Sequence, residues 1–193
     1  GKFAIVVDRK GRETRQRIYP EYKKNRSAAP DELVPQFEIL NELIESMQVP
    51  VIVQTGFEAD DMIALYATRA KEAGYYTTIV SADKDLAQLV DDRCNMYDLS
   101  KRKLLFPRDI REKFGISPER ITDYLSIVGD ASDNVPGVRS IGPKGAVKLI
   151  NEFGTLEEIY QNLNSIQNER TRRLLQESED LAFLSKRLVE FNL

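Results

Sequence analysis

Short apolar runs alternate with helical patterns through the first half of the chain. The runs at residues 3–7, 51–54 and 76–80 are apolar or β-branched and have the length of buried strands. Between the first two runs, apolar residues recur at helical spacing from residue 33 to 47, and another helix is indicated after the second run. Strands that alternate with helices are typical of a parallel sheet covered on both faces. The pattern therefore predicts an α/β fold, with a parallel central sheet flanked by helices.

From residue 107 onward the pattern becomes helical, with turn signals between short helices. We therefore expect two parts, an α/β core at residues 1–128 and a helical region at residues 129–193. The core includes a polar and basic segment at about residues 9–30, which has no apolar face. We interpret this segment as an exposed loop.

The composition narrows the possible chemistry. The chain has 0 histidines among its 193 residues, which excludes Ser-His and Cys-His nucleophiles and nearly every zinc site. Catalysis would need carboxylates, lysines, tyrosines or a metal held by oxygen ligands, and oxygen ligation favours Mg²⁺ or Mn²⁺. The single cysteine, Cys94, forms no intrachain disulfide, so a reduced, cytoplasmic protein is expected. No apolar run is long enough to span a membrane.

The net charge of −3 hides an uneven distribution. Residues 1–26 contain nine lysines and arginines against three acidic residues, a local excess of six positive charges. Acidic clusters lie elsewhere in the chain. A basic segment together with acidic clusters is what a metal-dependent enzyme acting on phosphates needs.

Acidic residues follow each of the three predicted strands, and a further pair lies in the helical region. The candidate metal ligands are Asp8, Glu58, Asp60, Asp61, Asp83, Asp85, Asp130 and Asp133. Because the carboxyl ends of parallel strands meet at one crevice, we expect these side chains to converge, and a bound cation would offset their mutual repulsion. Taken singly, each acid also has a structural interpretation, as a charge at a helix N-terminus, a cap or turn, or a solvated loop residue.

These carboxylates would suffice for two metal ions about 3.5–4 Å apart, the arrangement that hydrolyses phosphodiesters. One ion would lower the pKa of the attacking water, and the other would stabilise the departing 3′-oxygen. The ligands assigned mainly to one ion are Asp8, Glu58, Asp60 and Asp61. Those assigned mainly to the other are Asp85, Asp130 and Asp133, with Asp83 as a bridge and hence a candidate catalytic residue.

Two stretches indicate nucleic acid binding. Residues 135–153 form a helix–hairpin–helix pattern, whose candidate DNA contacts are Gly137, Arg139, Gly142, Lys144 and Lys148. Contacts to backbone phosphates would make such binding independent of sequence. The candidates in the basic segment are Arg15, Tyr22, Lys23 and Arg26, which would supply charge and a stacking ring for a single-stranded end. The alternatives are an ordinary turn between helices and a solvated basic loop.

Four motifs, in this order, resemble a known family. They are YPEYKKNR at residues 19–26, EADD at residues 58–61, SADKD at residues 81–85 and GDASDNVPG at residues 129–137. Together they closely resemble the 5′-nuclease domains of bacterial DNA polymerase I, which are members of the flap endonuclease family. The resemblance extends from about residue 3 to the C-terminus.

The resemblance implies a PIN-like 5′-nuclease fold with a C-terminal helix–hairpin–helix module. It also implies a magnesium-dependent enzyme of replication and repair that trims DNA from 5′ ends, cuts 5′ flaps and removes RNA primers. Lys23 and Arg26 would be catalytic residues of a helical arch, with Lys23 on the scissile phosphate. Further implications are a potassium ion at the hairpin, and a protein that is a monomer or a domain of a larger polymerase.

Members of the family usually begin with a further strand that carries an aspartate–glycine pair, and these 193 residues contain no counterpart of it. The resemblance therefore implies that one metal ligand and one edge of the site are missing from the sequence. Two alternatives follow: a nuclease-like fold that binds branched DNA without cutting it, and a single-stranded RNA nuclease with a similar acidic crevice. The hairpin argues against the second alternative, because it would contact a duplex backbone.

Overall fold

The computed structural model describes residues 1–8, 11 and 13–192, and its strands form two hydrogen-bonded sheets. The strands are β1 (Ile5–Val6), β2 (Val51–Ile52), β3 (Thr77–Val80), β4 (Cys94–Asp98) and β5 (Lys103–Leu105). β1 is parallel to β2, β3 is parallel to β4, and β5 is antiparallel to β4. The predicted α/β class with parallel pairing is confirmed. The expected single sheet is divided in two among the described residues, because β3 pairs with β4 and not with β1 or β2.

Helices account for most of the remaining structure. They are α1 (Glu13–Ile18), α2 (Val34–Ser46), α3 (Ala59–Glu72), α4 (Pro107–Phe114), α5 (Ile121–Val128), α6 (Pro143–Phe153), α7 (Leu156–Gln161), α8 (Glu169–Glu177) and α9 (Glu179–Val189). Shorter 3-10 helices lie at Lys84–Leu89, Pro118–Arg120 and Leu163–Ser165. Among the described residues, no helix has both the length and the apolar character that crossing a membrane requires.

The hydrophobic core is centred on α5, which packs against α6 and α9. Leu125 and Ile127 of α5 are buried, and so are Leu156 of α7 and Leu188 of α9. Full burial of a leucine or isoleucine side chain contributes about 1.5–3 kcal/mol. Burial of these side chains therefore stabilises α5 and fixes the position of the turn that follows it.

Helix α2, in contrast to α5, contributes no buried residue to the core. Its apolar residues have the predicted helical spacing, but none of its thirteen residues, all of them described, is buried. Phe37 and Leu43 are 48% and 55% exposed, and Phe3, in front of β1, is 61% exposed. The prediction that the first strand is buried is therefore wrong, because β1 is only half-buried, even though α3 contacts it.

The turn between α5 and α6 positions two of the predicted ligands. Asp130 and Val135 form an antiparallel bridge, with N–H to O=C distances of 3.0 and 2.8 Å. Gly129 and Gly137 flank this bridge with positive φ angles of 75° and 65°, and a Cβ on Gly137 would meet the carbonyl oxygen of Ile127 at 2.7 Å. Asp130 therefore lies at the bridge, and Asp133 lies in the turn that the bridge closes.

Candidate active site

An acidic crevice forms where α3 begins, where β3 ends and where the bridged turn follows α5. Glu58, Asp60, Asp85 and Asp133 line one pocket. Glu58 is 4% exposed and precedes α3 with an extended backbone, which directs it and the first turn of the helix toward the same point. Asp130 and Asp83 lie beside this pocket, since their charges act on Asp85. The structure thus brings together six of the eight predicted ligands.

The electrostatics of the crevice are those of carboxylates with too few counter-ions. Burial and then the charge of Asp83 raise the pKa of Asp60 to about 6 and that of Asp85 to about 7. Among the described residues, Glu58 Oε1 and Asp85 Oδ1 are buried without a hydrogen-bond partner. Buried, unpartnered carboxylate oxygens close to other carboxylates fit a hard divalent cation chemically.

Two lysines link the carboxylates across the crevice. Lys23 Nζ lies 2.7 Å from Glu58 Oε2 and 3.5 Å from Asp133 Oδ2. Lys84 Nζ lies 2.6 Å from Asp130 Oδ2 and 3.9 Å from Asp85 Oδ1. Within the described residues no three acidic side chains are placed to hold one metal ion. In this arrangement the ammonium groups of Lys23 and Lys84 supply part of the positive charge that the crevice requires.

The basic segment around Lys23 is docked onto the bridged turn. Lys23 N donates to the carbonyl oxygen of Asp133 at 2.9 Å, and Asn25 Nδ2 donates to that of Ala131 at 2.7 Å. Asn134 Nδ2 donates to the carbonyl oxygen of Glu21 at 2.7 Å. Arg26 forms an ion pair with Asp133. The predicted exposed loop is therefore wrong in two places, because Glu13–Ile18 form helix α1 and residues 21–26 bond to the bridged turn. Arg9, Lys10 and Arg12 lie outside the described residues.

Tyr22 does not present a stacking surface. Its ring is 3% exposed, and its hydroxyl lies 3.2 Å from Glu58 Oε2 and 3.3 Å from Asp133 Oδ2. Burial and the charges of Glu58 and Asp133 raise the pKa of Tyr22, so it stays neutral and can donate its proton to a carboxylate. The predicted role as a platform for a single-stranded base is contradicted, because the ring faces the interior.

Asp61 and Arg15 pair with each other. Asp61 is 0% exposed, and Arg15 Nη1 and Nη2 donate to its two carboxylate oxygens at 2.8 and 2.7 Å. Although burial opposes ionisation, this fork lowers the pKa of Asp61. Arg15, which is 4% exposed, cannot reach DNA in this structure, and Asp61 has no oxygen free for a metal. Sequence reasoning missed the pair, because nothing local marks partners 46 positions apart.

Two of the predicted ligands are exposed, Asp8 away from the crevice and Asp83 beside it. Asp8 is exposed at the end of β1, where its Oδ1 accepts a hydrogen bond from Gly11 N at 3.2 Å, and its role as a ligand stays a prediction. Asp83 is exposed, and its Oδ1 accepts from Asp85 N at 2.9 Å, which confirms the alternative interpretation of Asp83 as a cap. Lys84 was also missed, although its place between two candidate ligands was the one available signal.

The predicted hairpin connects α5 to α6 and is held by hydrogen bonds to α9 and to α5. Gly137 N donates to Ser185 Oγ at 2.9 Å, and Val138 N donates to the carbonyl oxygen of Ile127 at 2.7 Å. Gly142 precedes α6, and Pro143 is its first residue. The side chains of the turn and of α6 that face solvent include Arg139, Lys144 and Lys148. Within the described part of the chain, none of these three cations forms an ion pair, so their charge is available to a phosphate backbone.

Comparison with protein-family models matches the whole chain. Residues 1–115 match the 5′-3′ exonuclease N-terminal resolvase-like domain, and residues 116–193 match the 5′-3′ exonuclease C-terminal SAM fold. DNA polymerase I of Rhizobium leguminosarum is 42% identical over 187 residues, which are 97% of this chain and 18% of the polymerase. A 5′-3′ exonuclease of Buchnera aphidicola is 37% identical over 198 residues, which cover 100% of this chain and 69% of the relative. The chain thus spans about a fifth of the polymerase relatives that it matches.

Solved structures share this fold. The T5 5′-exonuclease with bound divalent metal ions (zinc) superposes with a TM-score of 0.87 at 27% identity, covering 97% of this chain and 73% of that one. A variant of the bacteriophage T5 flap endonuclease, in a pseudo-enzyme–product complex with DNA and metal ions, has a TM-score of 0.85 at 25% identity. That match covers 98% of this chain and 74% of that one.

Proposed function

Because the chain belongs to the 5′-3′ exonuclease family, we propose that it is a divalent-metal-dependent nuclease that hydrolyses DNA phosphodiesters near 5′ ends and at 5′ flaps. The observation that carries the proposal is a crevice next to a hairpin. Among the described residues, the crevice has buried carboxylate oxygens without a hydrogen-bond partner, and the hairpin has exposed cations without an ion pair. The first feature suits phosphoryl chemistry on metals, and the second suits the backbone of a duplex.

The proposed metals are two Mg²⁺ or Mn²⁺ ions. The residues that would hold them are Glu58, Asp60, Asp83, Asp85, Asp130 and Asp133, with Asp8 as a further candidate. When bound, the ions would supply a water of lowered pKa and a counter-charge for the departing 3′-oxygen. The crevice supports this assignment through the raised pKa of Asp60 and Asp85, because each of these carboxyls lacks a sufficient positive partner.

Lys23 and Arg26 are the proposed catalytic cations. Both now contact carboxylates of the crevice, so their charged groups already lie where a bound phosphate would come. Transfer of these cations from Glu58 and Asp133 to a phosphate would leave the two carboxylates to the proposed metal ions. Tyr22 would hold the segment in place, because its hydroxyl bonds to the same carboxylates while its ring is buried.

The helix–hairpin–helix is the proposed duplex contact. Arg139, Lys144 and Lys148 would bind consecutive backbone phosphates, and Gly142 would let a phosphate approach the start of α6. The potassium ion that the resemblance implies at this hairpin, and an RNA primer as a further substrate, stay predictions.

A second candidate function is a branched-DNA-binding module without cleavage. The observation that favours it is the presence of Lys23, Lys84 and Arg26 at the crevice carboxylates, where metals would otherwise neutralise them. The two candidate functions both require DNA binding, and they differ only in whether the DNA is cleaved.

The test measures binding and cleavage of a 5′-labelled flap DNA by the chain, with Mg²⁺ and with EDTA. A single-stranded RNA of the same length is the control substrate. The nuclease proposal expects binding in both buffers, cleavage in Mg²⁺ alone and preference for the flap DNA. Tight flap binding without cleavage in Mg²⁺ would establish the binding module instead, and faster cleavage of the RNA would overturn both.

A further inference from the structure

A buried ion pair joins three distant segments next to the crevice. Arg15 Nη1 and Nη2 donate to Asp61 Oδ2 and Oδ1 at 2.8 and 2.7 Å. The same guanidinium donates through Nε to the carbonyl oxygen of Leu188 at 2.8 Å, and through Nη2 to that of Glu190 at 2.8 Å. Asn192 N in turn donates to Asp61 Oδ1 at 2.9 Å. One arginine therefore ties the basic segment, the start of α3 and the end of α9 to one another.

The pair reaches the crevice through the backbone of Glu58. Asp61 Oδ2 accepts from Glu58 N at 3.0 Å, which fixes the residue immediately before α3. Arg15 Nη1 lies 3.8 Å from Glu58 Oε2, the oxygen that also receives Lys23 Nζ at 2.7 Å. Arg15 and Asp61 therefore fix the orientation of Glu58, Asp61 through its backbone N–H and Arg15 through its carboxylate.

We propose that Arg15 and Asp61 are positioning residues of the crevice, and that Asp61 does not bind metal. This inference rests on the proposed metal-dependent function. Asp61 is fully buried, and both of its oxygens are occupied by an arginine fork and two backbone amides. A metal on Asp61 would have to displace the guanidinium and leave it buried without a partner, which is strongly unfavourable. Among the residues that the structure describes, the neighbouring Asp60 has no such fork, and it lines the crevice pocket instead.

Residues 188–192 also form part of the scaffold of the site. The carbonyl oxygens of Leu188 and Glu190 accept hydrogen bonds from Arg15. Val189 and Phe191 line the crevice pocket together with Glu58. A change at Arg15 should therefore be felt at two places that are remote in sequence, the start of α3 and the end of α9.

The first measurement is hydrogen–deuterium exchange of the metal-free chain and of its Arg15→Lys variant. A lysine keeps the charge but cannot donate to Asp61, Leu188 and Glu190 at once. We expect faster exchange of the amides at residues 58–62 and at residues 188–192 together. Arg17→Lys, on the exposed side of α1, is the matched control and should change neither. Unchanged exchange at either segment in Arg15→Lys would overturn the proposal, whether or not the chain proves to be a nuclease.

The second measurement is Mn²⁺ affinity, followed by electron paramagnetic resonance. If the two residues position the site as a unit, Arg15→Lys and Asp61→Asn should each weaken binding about tenfold, and the double variant should be no weaker than either. If Asp61 were a ligand, Arg15→Lys would free its oxygens and tighten Mn²⁺ binding, which would contradict the proposal. Circular dichroism of each variant checks that the fold is retained.

Discussion

The crevice and the hairpin both concentrate charge, but they hold it in opposite ways. Four crevice carboxylates are buried or half-buried and are linked to Lys23 and Lys84 across distances of 2.6–3.9 Å, namely Glu58, Asp85, Asp130 and Asp133. In the hairpin, Arg139, Lys144 and Lys148 are exposed and form no ion pair with any residue that the structure describes. The crevice carboxylates are therefore already paired with cations of the chain itself. The hairpin cations have no such pairing among the described residues and can bind the phosphates of a DNA backbone.

This difference between the two regions predicts that the crevice governs cleavage and the hairpin governs DNA affinity. Exposed charges are screened by salt, with a Debye length of about 10 Å at 0.1 M, while buried pairs are screened much less. Changes in the hairpin should therefore alter how tightly DNA binds and how salt affects it. Changes in the crevice should alter cleavage and metal binding while DNA affinity is kept.

The largest expected effect comes from removing Asp60 and Asp85, the two crevice carboxyls whose pKa is raised to about 6 and about 7. Asp60→Asn/Asp85→Asn should reduce single-turnover cleavage of a 5′ flap by about 10³-fold or more, because metal ions contribute several kcal/mol to the transition state. The dissociation constant for the flap, measured in EDTA, should stay within about twofold of the wild type, because the hairpin is intact. Asp92→Asn, on an exposed turn before β4, is the control and should cleave normally.

Lys23→Met should separate the two roles of this lysine. Flap cleavage should fall by about 10²-fold, since a charge-assisted contact to phosphate contributes about 1.5–3 kcal/mol. Mn²⁺ should bind more tightly, because Glu58 and Asp133 lose the ammonium that lies 2.7 and 3.5 Å away. Weaker Mn²⁺ binding by this variant would show that Lys23 does not compete with the metal.

Lys144→Ala/Lys148→Ala tests the hairpin side of the comparison. The dissociation constant for duplex-containing DNA should rise about tenfold, and the slope of log K against log salt should fall by about two, one for each lost phosphate contact. The rate of single-turnover cleavage at saturating protein should change little. A variant that binds normally but cleaves slowly would assign these lysines to the chemistry instead.

The smallest expected effect is a pH dependence of the metal-free protein. A carboxyl whose pKa is raised on folding contributes stability that is present below its unfolded pKa, near 4, and is lost as the pH rises through its folded pKa. For Asp60 and Asp85 these folded values are about 6 and about 7. In EDTA, urea unfolding should therefore show Asp60→Asn/Asp85→Asn gaining stability relative to wild type as the pH rises from about 4 to about 7. A constant difference across this range would contradict the described electrostatics.

Features with local signals were predictable from the sequence. The EADD motif does begin α3, and the glycines at residues 129 and 137 do flank a tight turn, because both depend on neighbours a few positions away. The convergence of Glu58, Asp60 and Asp85 followed from strand ends that meet, although two sheets replace the expected single one. Asp133 joins them in the pocket from the turn after α5.

Features that depend on remote partners were not predictable. Arg15 was assigned to DNA and Asp61 to metal because each has the right chemistry, and only their approach in space shows that they satisfy each other. The burial of Tyr22 and the exposure of α2 likewise depend on what packs against them, which spacing along the chain does not encode.

The central claim is that the acidic crevice takes up divalent cations. A titration of Mn²⁺ into the wild-type chain and into Asp60→Asn/Asp85→Asn, with bound metal counted by electron paramagnetic resonance, tests it directly. The account predicts saturable binding of up to two ions by the wild type, and a loss of at least one ion or about tenfold or more in affinity in the variant. Equal stoichiometry and affinity in the two proteins would contradict it.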